Sequence, residues 1–186
     1  RDQDAMRGVW HAFIGLCEAL ARSPVPVVAA ITGHSPAGGA VLTLYCDYRI
    51  MADGPYRIGL NETQVGLVVP DVIQAAMRRL LGAHRAERLM VAGAMIESAE
   101  AHRIGLVDEL IDAERVVERA IAWLRDLLRL APQAMSETRR IARADLRALF
   151  DAHNATSDEA FLACWFSDEA QRVLGEMVAM LKAKRG

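Results

Sequence analysis

The sequence contains few cysteines and few aromatic residues. Its three cysteines, Cys17, Cys46 and Cys164, are odd in number and widely spaced. They therefore predict neither a disulfide framework nor a zinc-ligand pattern, and they favour a reducing compartment. The five histidines are scattered along the chain, so no metal site is predicted.

The sequence also has no excess of positive charge and no long apolar run. Lys and Arg number 22 against 24 for Asp and Glu, which argues against nucleic-acid binding. No apolar stretch reaches the roughly 20 residues that span a bilayer, so no membrane partner is predicted. The 186 residues suffice for one domain, or for one domain with an appendage.

Apolar spacing predicts the order of the elements. Apolar residues recur every three or four positions between residues 6 and 20, which predicts a helix that ends at Ser23-Pro24. The nearly continuous apolar run over residues 25–32 is typical of a buried parallel strand. We expect a short helix over residues 37–46 and strands over 47–52 and 56–60, which together form a right-handed β-α-β unit.

Helical spacing dominates the remainder. We predict a helix over residues 71–81, with Asp71 as its N-cap and Gly82 at its end. Further helices are predicted over residues 85–92, from Ser98 to Gly105, and from Asp112 to about residue 130. A strand is predicted over residues 106–111. Everything after Pro132 is expected to be helical. The composition changes at this point, so we place the boundary between a core of residues 1–131 and a helical region of residues 132–186.

The most informative stretch is VVAAITGHSPAGGAV, residues 27–41. A strand, a Gly- and Pro-punctuated loop and a helix start follow one another, and N–H groups at a helix start can face a negative oxygen. A nucleotide-binding P-loop is excluded, because Gly39 and Ala40 stand where Lys and Ser or Thr are needed. Structural roles also stay open for the pair Gly38-Gly39, namely close helix–strand packing or positive φ in a turn.

Glu62 is the second candidate, within IGLNETQVG. Apolar neighbours raise the pKa of a carboxylate towards that of a base working at neutral pH, although an isolated Glu in a loop is also often a solvated surface residue. His34 lacks a partner at diagnostic spacing, and Ser35 lies outside any nucleophile elbow, so serine hydrolysis is not predicted. A donor loop with one carboxylate indicates proton transfer beside a stabilised oxyanion.

Three segments carry a resemblance to a known family. PVVAAITGHSPAGGAVLTLYCDYRIMAD, IGLNETQVGLVVP and GAHRAERLMVAGAMIESAEAHRIGLVDELI resemble the crotonase (enoyl-CoA hydratase/isomerase) superfamily, over nearly the whole chain. SPAGG, CDYRI-AD and GLNETQ-G are most similar to the Δ3,Δ2-enoyl-CoA isomerases of fatty-acid β-oxidation. The resemblance implies an α/β crotonase-like ββα spiral core with a C-terminal all-helical trimerisation region, and a homotrimer or dimer of trimers.

The resemblance also implies residue roles. The Gly38 N–H would form half of an oxyanion hole, and Glu62 would move a proton from C2 to C4 of a 3-enoyl-CoA. No cofactor is implied, since CoA enters as part of the acyl-CoA substrate. Further residues would contact this substrate: Ser35, Pro36, Ala37, Gly39 and Asn61.

Hydratases of this superfamily carry a second glutamate, and the matching position here is Val41, which favours isomerisation. Two alternatives stay open. The chain could catalyse hydration or another acyl-CoA reaction that passes through an enolate, or it could be a non-catalytic relative that binds acyl-CoA. The basic tail has two interpretations, contact with CoA phosphates or a solvated helix end; it contains Lys182, Lys184 and Arg185.

The chain begins at Arg1, already inside a helical pattern, and the superfamily's upstream oxyanion motif is absent from it. We therefore expect the first strands of the core and half of the oxyanion hole to lie outside this sequence. The Arg- and Ala-rich composition indicates a bacterial cytoplasm, with the mitochondrial matrix as the alternative.

Overall fold

The computed structural model describes residues 2–153 and 155–183, in which helices and short strands alternate up to residue 111 and helices follow. The strands are β1 Val28–Ile31, β2 Ser35–Pro36, β3 Tyr48–Ala52, β4 Arg57–Gly59, β5 Ile96–Glu97 and β6 Glu109–Ile111. The helices are α1 Gln3–Arg22, α2 Gly38–Leu44, α3 Asp71–Leu81, α4 Ala83–Val91, α5 Ser98–Arg103, α6 Val116–Leu127, α7 Pro132–Ala142, α8 Ala144–Ala152, α9 Ala155–Trp165 and α10 Asp168–Ala183. Short 3₁₀ helices span Glu62–Val65 and Ala113–Arg115.

The strands form two small sheets. In the first, β3 lies between β1 and β6 and is parallel to both. In the second, β4 lies between β2, to which it is parallel, and β5, to which it is antiparallel. The parallel β1-α2-β3 arrangement confirms the predicted β-α-β connection, and its right-handed crossover stays a prediction.

The main apolar core is built by α1, α2, α3 and the first sheet. Tyr45 and Met51 are fully buried, and α1 presents Trp10 and Cys17 to the same core. The Trp10 ring also stacks on Phe161 with ring centroids 3.6 Å apart. Since Phe161 belongs to α9, the C-terminal helices and the first helix share one core.

A carboxylate ties the C-terminal region to the first sheet. Asp47 accepts hydrogen bonds from Nε and Nη2 of Arg139, both at 2.8 Å, and from Nη1 of Arg143 at 3.1 Å. It also accepts a bond from the Val27 N–H at 2.8 Å. The boundary near Ala131-Pro132 stays a prediction, and this ion-pair cluster crosses it.

Several element ends differ from their predicted positions. β1 and β6 are shorter than their apolar runs; at β6, Leu106 and Val107 are buried in a turn rather than in strand pairing. Pro70, not Asp71, is the N-cap of α3; the Asp71 carboxylate accepts from the next N–H at 2.8 Å. A 3₁₀ turn separates Asp112 from α6, which ends earlier than predicted, at Leu127.

Within residues 2–153 and 155–183, no helix has both the length and the apolar character that a membrane crossing requires.

Candidate active site

Two parallel strands bring the candidate residues to one edge of the second sheet. β2 pairs with β4 so that Ser35 lies opposite Ile58 and Pro36 opposite Gly59. The pairing continues beyond β2, where the Ala37 N–H donates to the Gly59 carbonyl at 2.9 Å. Because parallel strands end at the same edge, the segments after β2 and β4 leave the sheet together. One begins α2 with Gly38, and the other leads to Glu62.

Ala37 takes the strained backbone conformation in the turn that leads into α2. This residue has φ +44°, the one positive φ among non-glycine residues of the described chain, whereas Gly38 and Gly39 have no positive φ. The interpretation of Gly38-Gly39 as positive-φ residues is therefore wrong. The first helical bond runs from the Val41 N–H to the Ala37 carbonyl at 2.8 Å. Over residues 2–153 and 155–183, no acceptor receives the N–H groups of Gly38 and Gly39.

The two glycines meet different surroundings. A Cβ on Gly39 would lie 2.8 Å from the Ser35 Oγ, which confirms the close-packing interpretation for this position. A Cβ on Gly38 would approach nothing closer than 3.5 Å, at the ring of Phe13. The packing of the chain itself therefore does not require glycine at position 38.

Glu62 is the first residue of its 3₁₀ turn and is only 8% exposed. Among the described residues it is the one buried acidic side chain, so the surface interpretation is wrong. Its Oε2 is buried and has no hydrogen-bond partner, and the adjacent Asn61 Oδ1 is in the same condition. Burial raises the pKa of the Glu62 carboxyl above its usual range, and a bond from its own N–H partly opposes that shift.

The C-terminal helices help to enclose the Glu62 turn, which sequence reasoning missed. The turn ends at Gly66, with φ +75°, where a Cβ would lie 3.0 Å from the Cα of Ala170 on α10. The Cys164 Sγ, on α9, lies 3.6 Å from the Gly66 carbonyl oxygen. On the opposite flank the Thr63 hydroxyl donates to the Met90 carbonyl at 3.3 Å. Gly66 within NETQVG was the available signal for this close approach.

A cleft of about 540 Å³ runs beside β1 to the start of α2. Of the predicted substrate contacts, Ser35 and Gly39 line this cleft, whereas Pro36, Ala37 and Asn61 do not. Gly38 and Glu62 are also absent from its lining, so the cleft reaches the helix start but not the buried carboxylate.

Other predicted residues lie outside this arrangement. The His34 Nδ1 accepts a hydrogen bond from the Arg57 N–H at 3.0 Å, which fits the structural role expected for it. Lys182 is exposed near the end of α10, and Lys184 and Arg185 lie outside the described residues. The described part of the chain contains no group of His, Cys, Asp and Glu side chains that would hold a metal ion.

The geometry agrees with the comparison to protein families, in which residues 2–183 match the model described as enoyl-CoA hydratase/isomerase. The chain belongs to the enoyl-CoA hydratase/isomerase family. It is 32% identical over 180 residues to the human mitochondrial enoyl-CoA delta isomerase 1, covering 96% of this chain. It is 34% identical over 138 residues to a probable enoyl-CoA hydratase of Mycobacterium avium, covering 74% of this chain and 52% of that protein.

The chain spans 60% of the length of the human relative it matches. A crystal structure of human mitochondrial Δ3,Δ2-enoyl-CoA isomerase superposes with a TM-score of 0.93 at 31% identity, covering 100% of this chain and 72% of that one. The family member described here therefore has the crotonase fold, mixed α/β with a helical C-terminal region, as the resemblance implied.

Proposed function

We propose that this chain forms the catalytic part of a Δ3,Δ2-enoyl-CoA isomerase, which converts 3-enoyl-CoA to 2-enoyl-CoA in fatty-acid β-oxidation. The observation that carries the proposal is one buried carboxylate, Glu62, with an unpartnered oxygen, at the same sheet edge as the free N–H groups of Gly38 and Gly39. A base and an oxyanion donor are what proton transfer beside a thioester requires.

The reaction needs only one proton carrier. Glu62 removes a proton from C2, and the electron pair of that C–H bond moves into a dienolate that extends from the thioester oxygen to C4. The Gly38 N–H donates to the oxygen, where negative charge develops. The protonated Glu62 then returns its proton at C4, which leaves the double bond between C2 and C3. Because no atom or electron is gained or lost, the reaction consumes no cofactor.

Burial suits Glu62 to both halves of this cycle. A carboxyl group whose pKa is raised is a stronger base when ionised and holds the proton readily between the two transfers. The open space at Gly38 supports the approach of a substrate carbonyl to its N–H. We assign Ser35, Pro36, Ala37, Gly39 and Asn61 to contacts with the acyl-CoA. A second oxyanion donor would come from a segment of the intact protein outside these residues.

Hydration is the second candidate, favoured by the similarity to the probable mycobacterial hydratase. Adding water needs a second acid or base, and within the described residues Glu62 is the one buried carboxylate. Val41, at the position of the hydratases' extra glutamate, is 1% exposed and packs in the apolar core. These two observations support isomerisation over hydration.

Product identity separates the candidates. The intact protein is given 3-hexenoyl-CoA in one reaction and 2-hexenoyl-CoA in another, and products are identified by mass and NMR. Isomerisation predicts 2-hexenoyl-CoA from the first reaction and little product that has gained water from the second. Mainly 3-hydroxyhexanoyl-CoA from the second reaction would establish a hydratase. Binding without turnover of either substrate would establish the non-catalytic relative.

We also propose a homotrimer or dimer of trimers. Large apolar side chains are exposed near the α6–α7 connection and on α7, with Leu128 78%, Leu130 52% and Ile141 61% exposed. Such a surface is typical of an interface. Light scattering of the intact protein tests this assembly, and a monomeric mass would contradict it.

A further inference from the structure

A small pocket rich in arginine lies where the end of α1 meets α7 and α8. It encloses about 270 Å³, and its lining shares no residue with the Glu62 turn or with the cleft beside Gly39. The charged residues of its lining are Arg22, Glu137, Arg139, Arg140, Arg143 and Arg147. Five guanidinium groups therefore face one carboxylate within the lining.

The carboxylates around this pocket form ion pairs with some of its arginines but not with all of them. Arg139 and Arg143 share the single carboxylate of Asp47, at 2.8 and 3.1 Å. Arg147 forms no ion pair with any carboxylate of the described residues, and its Nε is buried without a hydrogen-bond partner. A partly buried cation without a counterion is costly, so an added anion would be stabilised here.

Arg143 also lines the pocket and is only 6% exposed. Its Nη2 donates to the Tyr45 carbonyl at 2.6 Å, which holds the side chain in place, while its Nε is buried and unpartnered. Burial lowers the pKa of Arg143, Asp47 opposes that shift, and the positive charge of Arg139 adds to it. The buried charge of Arg143 is therefore compensated by one carboxylate that it shares with Arg139.

Two further arginines leave donors at the rim. Arg22 uses Nε and Nη2 for Glu18 and Asp151, and Arg140 uses Nε and Nη2 for Glu137. The Nη1 of each has no partner within the part of the chain that the structure describes. Guanidinium groups with free N–H bonds are suited to phosphate oxygens, which they bind in a forked geometry.

We propose that this pocket binds a phosphate group, with Arg147 as its principal ligand and with Arg22 and Arg140 donating from the rim. Free phosphate and the phosphate groups of CoA share this chemistry. None of its residues belongs to the proton-transfer machinery proposed above, so phosphate binding here can be tested whether or not the isomerase proposal holds.

The test is calorimetric titration of the protein with inorganic phosphate, with chloride adjusted to keep the ionic strength constant. We expect Arg147→Gln to weaken binding about ten- to a hundredfold, because charge-assisted hydrogen bonds are lost. Arg125→Gln is the matched control: Arg125 is exposed on α6 and has no ion pair with any described residue, and the net charge changes equally. Arg140→Gln is the second variant if Arg147→Gln fails to fold.

Parallel titrations with CoA and with CoA lacking its 3′-phosphate distinguish the sources. The 3′-phosphate is the ligand if Arg147→Gln weakens the binding of CoA but does not weaken the binding of CoA that lacks the 3′-phosphate. Free phosphate is the ligand if Arg147→Gln weakens the binding of inorganic phosphate and CoA does not displace that phosphate. The proposal is overturned if neither phosphate nor CoA binds in an Arg147-dependent way, or if Arg125→Gln has the same effect.

Discussion

Gly59→Ala should destabilise the protein by moving β4, the strand that pairs with β2 and leads to Glu62. A Cβ at this position would lie 2.1 Å from the Ala94 carbonyl oxygen and 3.2 Å from the Met95 Cα. These atoms belong to the backbone, so rotation of a side chain cannot relieve the overlap. Overpacking of a core typically costs about 1–3 kcal/mol, and since backbone must shift by about 1 Å here, we expect about 3 kcal/mol or more.

The same shift should disturb the active site. Gly59 accepts the Ala37 N–H bond, and its strand leads to Glu62, so displacement of β4 moves the donor loop and the carboxylate relative to each other. We therefore expect a loss of kcat in the folded fraction of the variant, in addition to its lower stability.

Urea unfolding followed by circular dichroism measures the effect as a lower midpoint with an unchanged slope. Gly15→Ala is the matched control, because Gly15 lies inside α1 and a Cβ there meets nothing within 4 Å. Replacing that glycine should stabilise the protein by about 0.5–1 kcal/mol. Equal stability of Gly59→Ala and the unmodified protein would refute the packing of β4 described here.

Three further predictions concern charge and the glycine loop. Burial raises the pKa of the Glu62 carboxyl above its ordinary value of 4.5, so the native state holds this proton to higher pH than the unfolded state does. The unmodified protein should therefore lose stability relative to Glu62→Gln as the pH rises above about 4.5. Urea midpoints at matched pH values check this, and a constant difference would contradict it. Asp47→Asn should cost about 3 kcal/mol by urea unfolding, because two arginines lose a shared partner, whereas the exposed Glu137→Gln should change nothing measurable. Gly38→Ala should fold normally, since its Cβ has room, yet lower kcat/KM about 10²-fold by obstructing the donor; full activity would count against Gly38 as that donor.

Local pattern was enough for much of this architecture. The apolar spacing of α1 and the continuous apolar run around β1 predicted their element types, because both patterns are local. The burial expected for that run was wrong: β1 is an edge strand, and Ile31 is its one buried residue. β2 and β5 were missed, since two-residue strands have no period to detect. They exist because β4 pairs with both, which is a non-local fact.

The candidate site was predictable in its residues but not in its surroundings. Glu62 stands out in the sequence by its apolar neighbours, but the end of its turn, at Gly66, packs against α9 and α10, about 100 residues later in the chain. Similarly, the loop predicted a helix start, whereas only the backbone shows that Ala37, rather than a glycine, takes the positive φ. Tertiary contacts decide both features.

The most direct test of the central claim is the turnover of 3-enoyl-CoA by Glu62→Gln in the intact protein. We predict that kcat falls about 10²–10⁴-fold, because the amide cannot accept and return a proton, while acyl-CoA binding is retained. Glu118→Gln, which changes an exposed glutamate on α6, should leave turnover unchanged. Near-normal turnover by Glu62→Gln would contradict the assignment of Glu62 as the base.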